Sequence, residues 1–161
     1  MSFKFNADEI LQMAEQIERN GVKFYRKAAE NMSDLDIQRM LLEFADMEVE
    51  HAQTFANIRN QFLERKQQLA AFDPEGQAGQ YLQAMADGRV FDPTKDLSQQ
   101  LSGDETVEDI LNMAIGAEKN SIVFYLGLKD MVPEDEGRDD VEAIIREEMQ
   151  HIIILNHKFG S

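Results

Sequence analysis

At 161 residues the chain is long enough for one domain with a buried core. It contains no Cys, which excludes disulfides, thiolate-held zinc and iron–sulfur centres, and fits a reducing cytoplasmic setting. Its net charge of −15 argues against a nucleic-acid partner, and the longest apolar run, Ile152 to Leu155, is far too short to span a membrane.

The first helix is predicted over about residues 7–31. Asn6 is a good N-cap, Asp8 and Glu9 occupy the first turn, and Ile10, Met13, Ala14, Ile17, Phe24 and Ala28 recur at helical spacing. No apolar leader segment is visible before it. Ser33 and Asp34 form a short turn that caps a second helix, over about 34–69, with Ile37, Leu41, Phe44, Ala45, Phe55 and Ile58 on one side. Phe72-Asp73-Pro74 stops it. Residues 73–103, rich in Gly and with Pro74 and Pro93, read as a crossover holding a short helix from about Gln77 to Ala86. The third long helix spans about 105–131, with Ser102 and Glu105 spaced like a capping box. Pro133 marks a turn, the fourth long helix spans about 138–157, and Gly160 closes it.

An internal repeat at an offset of one hundred residues ties these helices together. Glu48-Val49-Glu50-His51 is echoed by Glu148-Met149-Gln150-His151, and Glu18 with Phe24-Tyr25 by Glu118 with Phe124-Tyr125. Each Glu-x-x-His puts a carboxylate and an imidazole on one helix face. Glu18 and Glu48 lie equally far from Ser33, and Glu118 and Glu148 equally far from Pro133, so the glutamates of each hairpin are level, roughly 22 Å from its turn. A connection of about 35 residues far exceeds the usual 2–8 between bundle helices. It fits a crossover along the bundle that makes the second and third long helices parallel. The expected fold is all-α: one domain, residues 1–161, formed by a four-helix bundle of two helical hairpins.

Six residues should then converge at mid-bundle: Glu18, Glu48, His51, Glu118, Glu148 and His151. Four unpaired carboxylates would each cost several kcal/mol to bury. Two divalent cations cancel their charge, so the expected cofactor is a pair of ions. Oxygen-rich ligation with one imidazole per ion suits iron or manganese and tolerates zinc. By position, His51 and His151 are terminal ligands, Glu48 and Glu148 bridge, and Glu18 and Glu118 are terminal. Tyr25 and Tyr125, seven residues beyond Glu18 and Glu118, are expected to hydrogen-bond ligand carboxylates. Glu15, Glu50 and Glu147 lack acidic counterparts and read as solvated or as neighbours of the ligands. His157 reads as a surface residue. Ile152 to Leu155 is either core or a contact between two copies, with the contact favoured.

The stretch from Phe44 to Ala52, with Glu48 and His51, and the stretch from Glu18 to Tyr25 resemble two helices of the ferritin-like superfamily, and within it the rubrerythrin-type di-iron domain. The resemblance covers about Ala7 to His157. It implies a ferritin-like bundle and a dinuclear iron centre held by the six residues above. Rubrerythrins also carry a rubredoxin-like domain with four cysteines, absent here, so an external electron-donor protein is expected. They carry a further glutamate one turn after the third-helix ligand, where this chain has Ser121, matched by Gly21 in the first half. The site therefore looks more symmetric, closer to bacterioferritin-like centres. The expected function is an oxidoreductase that reduces hydrogen peroxide or dioxygen and protects against oxidative stress, working as a homodimer. The alternatives are a ferroxidase that handles iron and a structural bundle with a non-catalytic metal site. No residue pattern marks a pocket for an organic substrate.

Overall fold

The computed structural model describes residues 7–65, 76–86, 92 and 95–160. Helix α1 (Ala7–Glu30) carries Asp8 and Glu9 in its first turn and Lys27 in its last, each sign at the end the helix dipole favours. It stops where the Asn31 and Met32 amides turn back onto the Ala28 and Ala29 carbonyls. Asp34 then caps α2 (Leu35–Arg65), its Oδ1 accepting from the Asp36 and Ile37 amides at 2.9 and 3.2 Å. The predicted continuation of this helix to residue 69, its stop at Phe72-Asp73-Pro74 and the Asn6 cap lie outside the described residues.

Helix α3 (Gln77–Ala86) is the short crossover helix, burying Leu82 and Met85. A 3-10 turn, Leu97–Gln100, follows, fixed by Asp96 accepting from the Ser98 amide and hydroxyl. Helix α4 (Val107–Met131) starts close to the predicted position but with a different cap. Its N-cap is Thr106, in a capping box with Asp109. Ser102 makes no such box, because its hydroxyl and amide both donate to the Glu105 carboxylate instead of its oxygen accepting a helical amide. Glu105 closes a turn before the helix, and its carboxyl is held below the usual range by donors including the Ser102 and Gly103 amides. A wide turn over Glu134–Arg138, with Gly137 at φ +123°, leads into α5 (Asp139–His157). Ile58 lies 2.9 Å from where a Gly137 Cβ would sit, so both conformation and space select glycine there.

The core comes in two apolar clusters. One gathers Ile10, Ala14 and Ile17 from the start of α1, Phe55 and Phe62 from the end of α2, Phe124 and Leu128 from the end of α4, and Val141 and Ile145 from the start of α5. The other gathers Phe24 and Ala28 from the end of α1, Leu41 and Phe44 from the start of α2, Ile110 and Ala114 from the start of α4, and Leu155 from the end of α5. These groupings fix the topology. Helices α2 and α4 run parallel, α1 and α5 run opposite to both, and the crossover returns the chain along the bundle. The four long helices thus form the all-α bundle of two hairpins, with a polar layer between its apolar ends. Leu155 belongs to the core and Ile154 packs against it, while Ile153 is half-exposed, so the Ile152 to Leu155 run divides between inside and outside. No described helix is long and apolar enough to cross a membrane.

Helix α3 is anchored to α4 by Tyr81, whose hydroxyl donates to the Val123 carbonyl at 2.6 Å. Its ring lies where a Gly127 side chain would be, with Cδ1 2.4 Å from an added Cβ. Gly→Ala inside a helix ordinarily gains about 1 kcal/mol. Gly127→Ala is expected to lose about 1–3 kcal/mol by overpacking, since the Tyr81 ring must swing away from its anchor. Urea denaturation of the variant checks the sign.

Candidate metal centre

The polar layer is the six-residue cluster. Glu18, Glu48, His51, Glu118, Glu148 and His151 are all buried, at 0–4% exposure. They form two overlapping groups, Glu18, Glu48, His51 and Glu148, and Glu48, Glu118, Glu148 and His151, each offering ligand atoms within 4.8 Å of one another. The Nδ1 atoms of both imidazoles point inward. His51 Nδ1 lies 3.2 Å from Glu148 Oε1, 3.5 Å from Glu18 Oε2 and 3.8 Å from Glu48 Oε2. His151 Nδ1 lies 3.1 Å from Glu148 Oε2, 3.3 Å from Glu118 Oε1 and 3.7 Å from Glu48 Oε1. Glu48 and Glu148 therefore each turn one oxygen toward each histidine. Glu18 faces His51, and Glu118 faces His151.

Protein groups alone do not satisfy this cluster. Among the described residues, Glu18 Oε2 and Glu148 Oε2 are buried without an aligned hydrogen-bond donor. Burial, with Glu118 and Glu18 beside it, pushes the Glu148 carboxyl well above the usual range. Burial would raise Glu118 too, but bonding to Glu148, His151 and Tyr25 outweighs it and holds that carboxyl low. His51 is pushed up to about 8: burial opposes its charged form, and Glu18 and Glu147 more than offset this. Four carboxylates, two inward imidazoles and two orphaned oxygens fit a pair of divalent cations, which would supply the missing partners.

Two tyrosines cross the site. Tyr25 donates to Glu118, and Tyr125 donates to Glu18 at 2.6 Å, so each holds the glutamate of the opposite half. Burial, then the neighbouring carboxylates, pushes both phenols well above their usual value, which keeps them donors. The spacing of seven residues marked them as neighbours of the cluster, but sequence alone could not say which glutamate each would reach.

The other acids separate. Glu50 and His157 are exposed, as expected. Glu147 is half-exposed yet reaches His51, its Oε2 2.5 Å from Nε2. Glu15 departs from the solvated reading. It is 2% exposed and held by Arg59 Nη1 at 3.1 Å and Arg19 Nη2 at 3.5 Å, while Arg59 also binds Asp8. The partner that makes its burial tolerable, Arg59, comes from the other helix of the hairpin.

A cavity of about 140 Å³ opens between α1 and α4 under the crossover and reaches Glu48 and Glu118. Asn20, Gly21, Phe24, Leu97, Asn120 and Ser121 line it. Gly21 leaves room beside Glu48, whose Cγ would lie 3.4 Å from a Cβ there, and Ser121 turns its hydroxyl back to the Ala117 carbonyl. The sequence offered one sign of this opening, a glycine and a serine one turn beyond Glu18 and Glu118. The contribution of Leu97 and Lys95 from the crossover had no sign at all.

An antiparallel pair of helical hairpins around a buried layer of Glu and His side chains defines a class, the carboxylate-rich helical bundles with a ferritin-like fold. The rubrerythrin family model matches residues 9–157, and the chain belongs to that family. A solved structure from Thermotoga maritima, described as a candidate ferritin-like diiron-carboxylate protein, is similar over 98% of this chain and 96% of its own, with 29% identity and a TM-score of 0.73. None of the curated proteins compared matches the chain.

Proposed function

We propose that the chain is a non-haem di-iron oxidoreductase that reduces hydrogen peroxide or dioxygen. The observation that carries this reading is the division of the Glu48 and Glu148 oxygens between His51 and His151, which suits two ions sharing two carboxylates. Glu18 and His51 would complete one position, and Glu118 and His151 the other. A ferrous pair bound there would supply the two electrons that, with two protons, reduce one hydrogen peroxide to two waters. The chain's own groups prepare the site. Tyr25 and Tyr125 orient Glu118 and Glu18, the apolar clusters close both ends to water, and the cavity beside Gly21 and Ser121 admits a small oxidant. The bundle itself has no Cys to hold a second iron centre, so electrons for a second turnover would come from a donor protein outside the bundle. The reading also includes a homodimer and a cytoplasmic setting; Val49 on α2 and Met149 and Ile153 on α5 are exposed apolar side chains that a second copy would cover.

The test is anaerobic loading with ferrous iron followed by hydrogen peroxide. Oxidation complete at one peroxide per two irons, stopping at two irons per chain and repeatable after chemical reduction, is expected. Continued oxidation of added ferrous iron into a mineral would replace this reading with iron handling by a ferroxidase. Iron that binds but is not oxidised would leave a structural metal site.

A further inference from the structure

Resting on the dinuclear reading, we infer that the two metal positions are unequal, and that Glu147 makes the His51 position the tighter one. The repeat that matches the six ligands fails one residue before the α2 and α5 glutamates, where Met47 corresponds to Glu147. Both side chains cross between α2 and α5 to the outer nitrogen of the opposite histidine. Glu147 Oε2 is 2.5 Å from His51 Nε2, whereas Met47 Sδ is 3.2 Å from His151 Nε2. The surroundings diverge further. Phe44 stacks on the His151 ring with centroids 4.1 Å apart and planes at 21°, and the residue one hundred positions on is Ile144, which has no ring.

An imidazole that ligates through Nδ1 carries its proton on Nε2. A carboxylate accepting that proton makes a charge-assisted hydrogen bond, fixes the tautomer and ring orientation, and raises the basicity of the ligating nitrogen. A thioether is a weak acceptor and does little of this. His51 is thus a stronger donor to its ion than His151, although the two positions have the same types of inward ligand. Loss of such an outer partner typically costs about 10–100-fold in metal affinity. Glu147 acts through His51 and is a positioning residue.

Anaerobic calorimetric titration of metal-free protein with ferrous ion, repeated with zinc ion as a redox-inert probe, tests the inference. The native chain is expected to bind two ions in two resolved steps. Glu147→Gln, which keeps an acceptor but removes the charge, should weaken the tighter step about 10–100-fold and leave the weaker step within about threefold. Met47→Glu, which gives His151 the missing carboxylate, should strengthen the weaker step until the two merge. It serves independently if Glu147→Gln folds poorly by circular dichroism. Two equal steps in the native chain, or variants that shift neither step or both alike, would overturn the inference while leaving the dinuclear site intact. Binding of no ion would overturn both.

Discussion

Stripping metal from the native protein with a chelator is expected to lower its melting temperature by roughly 15–30 °C. The size follows from linkage. An ion that binds only the folded chain, present at a thousand times its Kd, stabilises it by about 4 kcal/mol, and two ions by about 8 kcal/mol. For a chain of this size each kcal/mol moves the midpoint by roughly 2–4 °C. The cluster amplifies the dependence, since Glu18, Glu48, Glu118 and Glu148 are at most 4% exposed and face one another once no cation lies between them. Scanning calorimetry with and without chelator reads the shift. An unchanged midpoint would mean that the polar layer is satisfied without metal.

Glu148→Leu is expected to do two opposite things: abolish metal binding and stabilise the metal-free protein by about 1–4 kcal/mol, the gain seen when buried charged clusters give way to apolar side chains of similar volume. Glu148 is completely buried, and its carboxyl is pushed well above its ordinary value of 4.5 by burial and by Glu118 and Glu18. An acid whose pKa rises on folding costs stability at every pH above its unfolded value, because the folded chain must hold a proton that the unfolded chain releases. Metal-free native protein should therefore lose stability as the pH rises above about 4.5 toward the raised value, and the leucine variant should lose less. Urea denaturation of both metal-free proteins at several pH values measures the difference. A variant less stable than the native chain at neutral pH would show that Glu148 is well paired without metal.

The sequence exposed the site further than it exposed the surroundings of the site. Six ligand candidates were legible because a repeat at a fixed offset turns weak Glu-x-x-His signals into one strong pattern. Level spacing from the two turns then put the glutamates in one layer. The parallel run of α2 and α4 was legible from the length of the connection. What stayed hidden depends on pairing across helices. Glu15 looks like surface charge until Arg59 is seen reaching over from α2. Each tyrosine holds the far glutamate because the hairpins pack face to face, which no spacing within one hairpin encodes. Thr106 replaces Ser102 as the α4 cap because hydroxyl geometry, not residue type, decides which of two competent sequences closes the helix. The cavity forms only once the crossover lies over α1, where Lys27 Nζ and Asn20 Nδ2 hold the Ser98 and Lys95 carbonyls at 2.8 and 3.2 Å.

Metal content tests the central claim most directly. Protein expressed without added metal, measured by elemental analysis beside a Glu48→Ala/Glu148→Ala double variant, is expected to carry about two iron atoms per chain, and the variant none. An iron-free native protein that also takes up no ferrous ion under anaerobic conditions would contradict the account, leaving the repeat as architecture alone.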